Sequence, residues 1–235
     1  QENKDYFVIG TLTHLVLELL QKTKHKKHFD LIIKKQNTLA SKAVERLIDS
    51  HIEKHKDLVR GRKQDICDFI LTGAKFDLHC QGCEELLDPE FEFDIDEPDF
   101  RLKGFIDVSA LYKDYLYVKD YKTSKRKPPN AEKDFNLQAL IYSVVLRRKF
   151  GKRAKYITDF VYVKFSKNPE YRCEYTDKDL DFFEFYLKNA SEYINNFTKD
   201  QRLDYLPIGG YKQPMYCGAA EGQMKADGTP KYTCQ

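Results

Sequence analysis

Two short segments hold the residue types from which hydrolytic chemistry can be built: Gly104-Phe105-Ile106-Asp107 and Val118-Lys119-Asp120-Tyr121-Lys122-Thr123. Both read as β-strand, and the turn between them falls near Lys113-Asp114. A hairpin centred there pairs residues whose numbers sum to 227. That register sets Asp107 opposite Asp120 on one face, with Cβ atoms about 4.5–5.5 Å apart. Lys-Asp is not a favoured two-residue turn, so a longer loop with the same centre fits equally. Lys122 lies on the face of Asp120, roughly 7 Å further along the strand, within reach of the space before both acids. Facing carboxylates repel unless a cation sits between them, and oxygen ligation points to magnesium or manganese. Such an ion orients water and neutralises a phosphate oxygen, while the lysine stabilises the attacking hydroxide or the transition state. The chemistry is phosphodiester hydrolysis. An ordinary exposed hairpin with salt-bridged acids has the same spacing, because Asp-x-Lys is a common tripeptide, so the elements around the pair must decide.

Those elements alternate. The run after Gly10 predicts a helix over about 11–22, with Thr11 or Thr13 as its N-cap. The basic stretch that follows contains Lys24, Lys26 and Lys27 and continues to Lys34-Lys35; it reads either as a solvated face or as a contact for a phosphate backbone. Helical spacing of Leu39, Ala43, Leu47 and Ile52 predicts a helix over 38–58, with a shorter one over 62–73. Aromatic and β-branched runs at Phe91–Ile95, Phe100–Leu111 and Tyr115–Thr123 predict three strands. Then come a helix over 132–150, a buried strand over 155–165 and an aromatic-rich helix over 177–197, in which Phe182, Phe183 and Tyr186 read as core. Breakers from Pro207 onward predict an irregular tail over 207–235. The expected architecture is α/β: a mixed central β-sheet flanked by helices in one domain over 1–206, with a helical insertion at about 38–75.

Composition narrows the class. With 235 residues, 41% hydrophobic and 33% charged, a globular chain is expected. No apolar run approaches the ~18 residues of a membrane helix. A net charge of +3 is too small to name a nucleic-acid partner, so the argument rests on where charges sit. Six cysteines and no secretory signal point to a reducing cytoplasm. The chain begins at Gln1 rather than Met, and a missing N-terminal piece is expected.

Four motifs in order complete the pattern: Gly10-Thr11-Leu12-Thr13-His14, Gly104-Phe105-Ile106-Asp107, Asp120-Tyr121-Lys122-Thr123 and Gln138-Ala139-Leu140-Ile141-Tyr142. Together they resemble the RecB-like branch of the PD-(D/E)XK nuclease superfamily, with its restriction-endonuclease-like core. The resemblance implies that His14 joins a metal sphere with Asp107 and Asp120, that Tyr121 lends its carbonyl, and that Lys122 is the catalytic lysine. Gln138 and Tyr142, four apart on one helix face, would border the active site and the DNA. Glu92 is a weaker candidate for an additional acid. Taken alone, His14 among Leu12, Leu15 and Val16 would read as a core histidine, with Glu18 at i+4 orienting it or simply exposed.

Several relatives of this branch hold an iron–sulfur cluster on one cysteine before the histidine helix and three near the C-terminus. This chain departs from that pattern: its close pair is Cys80-Gln81-Gly82-Cys83, and Cys217 and Cys234 stand far apart. A zinc or cluster site on these four would need the tail to fold back, and free thiols are the simpler reading. Lys125, Arg126 and Lys127 follow the second acid strand and, with Lys24, Lys26 and Lys27, would form a basic rim. The expected function is a magnesium- or manganese-dependent deoxyribonuclease, an exonuclease or end-processing enzyme in a bacterial or phage-infected cell. A helicase or recombination protein is the partner that the resemblance suggests. The alternative is a non-catalytic nucleic-acid-binding domain of a larger helicase–nuclease or phage complex; a different metal-dependent phosphodiesterase is a third reading.

Overall fold

The computed structural model describes residues 2–196, apart from 130, 131, 134 and 135. The chain divides into two compact units, Gln1–Lys188 and Asn189–Gln235, and every contact described below lies within the first. The predicted tail over 207–235, with Cys217 and Cys234, lies outside the described residues. No helix among the described residues is long and apolar enough to cross a membrane.

The first helix, α1 (Glu2–Gln21), starts well before the predicted position. Thr11 and Thr13 are therefore not caps but lie inside it, where their hydroxyls donate to the carbonyls of Phe7 (3.0 Å) and Ile9 (2.8 Å). The basic stretch folds as a second helix, α2 (Lys26–Lys35), which buries Ile32 and packs Phe29 and Ile33 on the core while its lysines stay outside. The predicted 38–58 helix is broken. A turn at Thr38–Ala40 precedes α3 (Lys42–Lys54), capped by Ser41, and α4 (Lys56–Val59) follows; α5 (Lys63–Ala74) then packs across α1. The crossing is close because Gly73 has no side chain: a Cβ there would stand 2.7 Å from Leu17 Cδ1.

The predicted strand over 100–111 is two strands in two sheets. A short β1 (Glu85–Leu86) leads to β2 (Phe91–Asp96), which pairs only with β3 (Arg101–Ile106) as a separate two-stranded ribbon. After Asp107 the chain enters the main sheet as β4 (Val108–Leu111), followed by β5 (Tyr115–Lys122). Beyond α6 (Leu137–Phe150), capped by Asn136, come β6 (Lys155–Tyr162), β7 (Glu170–Tyr175) and α7 (Asp177–Asn195). The main sheet runs β1-β4-β5-β6-β7 and is mixed, with β5 and β6 parallel and the other pairs antiparallel. The β4–β5 ladder, Val108↔Lys119 to Leu111↔Leu116, has the register read from the sequence.

Each face of the sheet has its own core. Val108, Ala110, Tyr121, Val161 and Val163 pack under the helices α1 to α5. Val118, Phe160 and Cys173 pack under α6, the first turns of α7 and the β2–β3 ribbon. In α7 only Leu180 and Phe183 are buried; Phe182 and Tyr186 point outward, against the expectation that all three aromatics are core. Arg147 of α6 fastens that helix to α7 through Asp181 (2.7 Å) and Glu184 (3.1 Å). The result is a layered α/β fold of restriction-endonuclease-like type, in which helices from both faces meet at the end of β5.

Candidate active site

Asp107 occupies the bend between β3 and β4, where the chain leaves the ribbon for the sheet. One step beyond the last ladder pair, it does not simply face Asp120. Its Oδ2 accepts a hydrogen bond from the Tyr121 backbone N–H (2.7 Å) and lies 3.2 Å from His14 Nδ1. His14 reaches it because α1 runs close to the end of β5. Gly10 allows this approach: a Cβ there would stand 3.0 Å from Thr123 Oγ1.

The third member of this group was not expected. Among the described residues, His14, Glu90 and Asp107 each offer a ligand atom, all within 4.8 Å of one another. Glu90 precedes β2 with a left-handed backbone (φ 55°), and its N–H donates to the Asp107 carbonyl (3.2 Å). Glu92 alternates to the exposed side of the ribbon opposite Phe105 and takes no part in the group. The only signal for Glu90 in the sequence is its place after Asp88-Pro89 at the mouth of a strand.

Asp120 is buried beneath α6, its Oδ1 hydrogen-bonded twice and its Oδ2 facing a single ion-pair partner. Lys122 Nζ lies 2.7 Å from its Oδ2, while Oδ1 accepts from Tyr142 Oη (2.9 Å) and Gln138 Nε2 (3.0 Å). Gln138 Nε2 also donates to Tyr142 Oη (2.5 Å), and its Oε1 accepts from Lys122 Nζ (2.8 Å). One amide thus holds acid, phenol and ammonium together, using both of its donor hydrogens and its acceptor. Asn136 caps α6 two residues before Gln138, which fixes the face of Gln138 and Tyr142 against β5. The Tyr121 carbonyl follows from the strand pattern. Lys122 gives its carbonyl to Val163 N–H on the β6 side (3.0 Å), so Tyr121 faces the opposite way, toward Asp107.

The electrostatics are those of a site short of positive charge. Burial, then the Asp107 charge, pushes Asp120 up to about 6 against the pull of Lys122 and Tyr142. Burial and Asp107 likewise raise Glu90. Burial pulls His14 down, but the hydrogen bond and charge of Asp107, with Asp120 and Glu90, outweigh it and leave it raised. Carboxylates beside one imidazole are a donor set that fits magnesium or manganese, the nitrogen favouring manganese.

The remaining expected residues lie around this centre or away from it. Lys125 stands over the Tyr6 ring (4.2 Å) and Arg126 is exposed. Lys127 is tied along the surface, donating to the Asn168 and Glu170 carbonyls. Lys24, Lys26 and Lys27 are exposed beyond the end of α1, and Lys26 pairs with Asp30 (3.7 Å). Cys80 and Cys83 sit in the turn after α5, Cys80 buried and Cys83 half-buried, and both are free thiols. Among the described residues neither joins a group that could hold a metal.

With helix-borne histidine, bent-strand aspartate and the Asp-x-Lys strand in one place, the arrangement is that of a metal-dependent nuclease. A family model of the PD-(D/E)XK nuclease superfamily matches residues 1–217, and the chain belongs to that superfamily. A search of curated proteins finds no match.

Proposed function

We propose that this protein is a magnesium- or manganese-dependent deoxyribonuclease of the RecB-like branch, acting on DNA ends. The observation that carries this reading is the His14–Glu90–Asp107 group within reach of the Asp120–Lys122 ion pair at the end of β5. Superfamily membership supports hydrolysis of a phosphodiester, and the linked Gln138 and Tyr142 side chains support the branch.

His14, Glu90 and Asp107, with Asp120 and the Tyr121 carbonyl beside them, would hold the cation. When bound, it supplies Lewis-acid activation of water and of a phosphate oxygen. Lys122 presents its ammonium to the attacking water and the phosphate, stabilising charge as the water oxygen bonds to phosphorus and the ester P–O bond breaks. Gln138 and Tyr142 keep Asp120 and Lys122 aimed while substrate comes and goes. Asp107 also holds the His14 ring in place through the nitrogen it contacts.

The test is cleavage of end-labelled single-stranded DNA, linear duplex and closed circular DNA with magnesium or manganese. Metal-dependent loss of the linear substrates, with the circle spared, is expected. Binding without cleavage under either metal would favour the non-catalytic accessory reading; equal attack on the circle would refute the end requirement. Nothing in the described residues selects a helicase or recombination protein as partner.

A further inference from the structure

The cavity beside the metal group has an apolar wall that the hydrolytic chemistry does not use. It measures about 560 Å³ and is lined by Tyr6, Phe7, Thr11, His14, Glu90 and Asp107 among others. Phe7 and His14 are seven residues apart on α1 and so share one face, roughly 10 Å apart along the axis. Phe7 is 76% exposed, the most exposed large hydrophobic of the described residues, although it sits on the helix that anchors one of the two cores. An aromatic ring left in water at the mouth of a charged cavity forgoes burial energy and presents a face on which a ligand ring can stack.

Cations surround its neighbour. Lys125 Nζ (4.2 Å), Lys164 Nζ (5.2 Å) and Arg62 Cζ (5.3 Å) all lie against the Tyr6 ring. Arg62 is neutralised by Asp5 (3.0 Å) and Asp65 (2.6 Å), whereas Lys125 and Lys164 form no ion pair with the described residues. Lys125 and Arg62 together draw the Tyr6 phenol below its ordinary value, a sign of the positive field there. Phe7, next to a tyrosine ring that carries two ammonium groups without ion pairs to the described residues, matches a nucleotide with its base unpaired: the Phe7 ring takes the base face and the lysines take backbone phosphates.

We infer that Phe7 is a stacking platform for an unpaired base beside the scissile phosphate, with Lys125 and Lys164 holding the adjoining backbone, which makes a single-stranded DNA end the preferred substrate. This inference rests on the nuclease reading for the position of the scissile phosphate, but the stacking site itself is testable without cleavage. A duplex end keeps its bases paired and stacked inside the helix, so it cannot use the platform without fraying.

The experiment is equilibrium binding in calcium or EDTA of short single strands that carry 2-aminopurine at successive positions, with a blunt duplex as comparison. Wild-type protein quenches the fluorophore at one or two positions near the end. Phe7→Ala, at an exposed site that threatens no packing, abolishes that quenching and weakens single-strand binding about fivefold or more while leaving duplex binding unchanged. Phe7→Tyr restores both. Lys125→Gln leaves the quenching in place and lowers the salt slope of single-strand binding by about 0.7. Unchanged quenching in Phe7→Ala, or equal loss of single-strand and duplex affinity, overturns the inference. Cleavage is scored separately: a wild-type protein that quenches the fluorophore but cleaves nothing with either metal refutes the nuclease reading and leaves the platform standing.

Discussion

The Tyr142 hydroxyl, on α6, donates to Oδ1 of Asp120, on β5, at 2.9 Å, and in turn accepts from Gln138 Nε2. A buried carboxylate beside the charge of Asp107 is costly, and this contact from α6 is one of three that hold it. Tyr142→Phe and Gln138→Ala are each expected to destabilise the fold by about 1–3 kcal/mol, because each leaves buried polar atoms short of partners. Since both act on Asp120, their effects should be non-additive by about 0.5 kcal/mol or more in a double-mutant cycle of urea unfolding. Strict additivity would show that the network is not a unit.

Glu90, not Glu92, is expected to contribute to cation binding. Glu90→Gln should weaken manganese binding by about tenfold or more in calorimetric titration, the scale of a lost contact at a metal site. Glu92→Gln, on the exposed side of the ribbon, should bind as the wild type does.

The metal-free fold should be most stable in mild acid. His14, Glu90 and Asp120 are all raised, so the native state holds more protons than the unfolded chain, and stability falls as pH rises. For Asp120 the loss runs from its ordinary 3.8 up through about 6; for His14 it begins at the ordinary 6.5. The Asp120 part is on the order of 1–3 kcal/mol. Thermal melting between pH 4 and pH 8 should show the decline, Asp120→Asn should flatten it, and saturating manganese should reverse it. A wild type and Asp120→Asn with parallel curves would remove Asp120 as the cause.

Gly73→Ala should destabilise by about 1–3 kcal/mol despite alanine's better helix propensity, because the new methyl meets buried Leu17 where α1 crosses α5. Chemical denaturation measures this directly. A neutral or stabilising result would mean that α1 can yield at that crossing.

Much of this site was legible in the residues. The Lys113-Asp114 centre gave the register of β4 and β5, because a tight antiparallel pair leaves few other ways to align the apolar faces. The i, i+4 spacing of Gln138 and Tyr142 placed them on one side of α6, where the structure shows both on Asp120. The bend at Asp107 was hidden, since an apolar run from Phe100 to Leu111 has the pattern of one continuous strand whether or not it changes sheet. Glu90 was hidden for a related reason: alternation along the strand selects Glu92, while Glu90 works from a left-handed loop position that alternation does not describe. In α2 the density of lysines masked an amphipathic helix whose apolar side is only Phe29, Ile32 and Ile33. The helix start at Glu2 was missed because Gly10 looked like a boundary, when its role is to let Thr123 come close.

The central claim is that Asp107, Asp120 and Lys122 form one hydrolytic centre in which the lysine serves the chemistry rather than the metal. The measurement that tests it most directly pairs manganese titration calorimetry with cleavage of end-labelled single-stranded DNA for the wild type, Asp107→Asn and Lys122→Met. Lys122→Met is expected to keep manganese binding within a few-fold and to lose cleavage by about 100-fold or more, while Asp107→Asn loses both. Cleavage at wild-type rate in Lys122→Met, or unchanged manganese binding in Asp107→Asn, would contradict it.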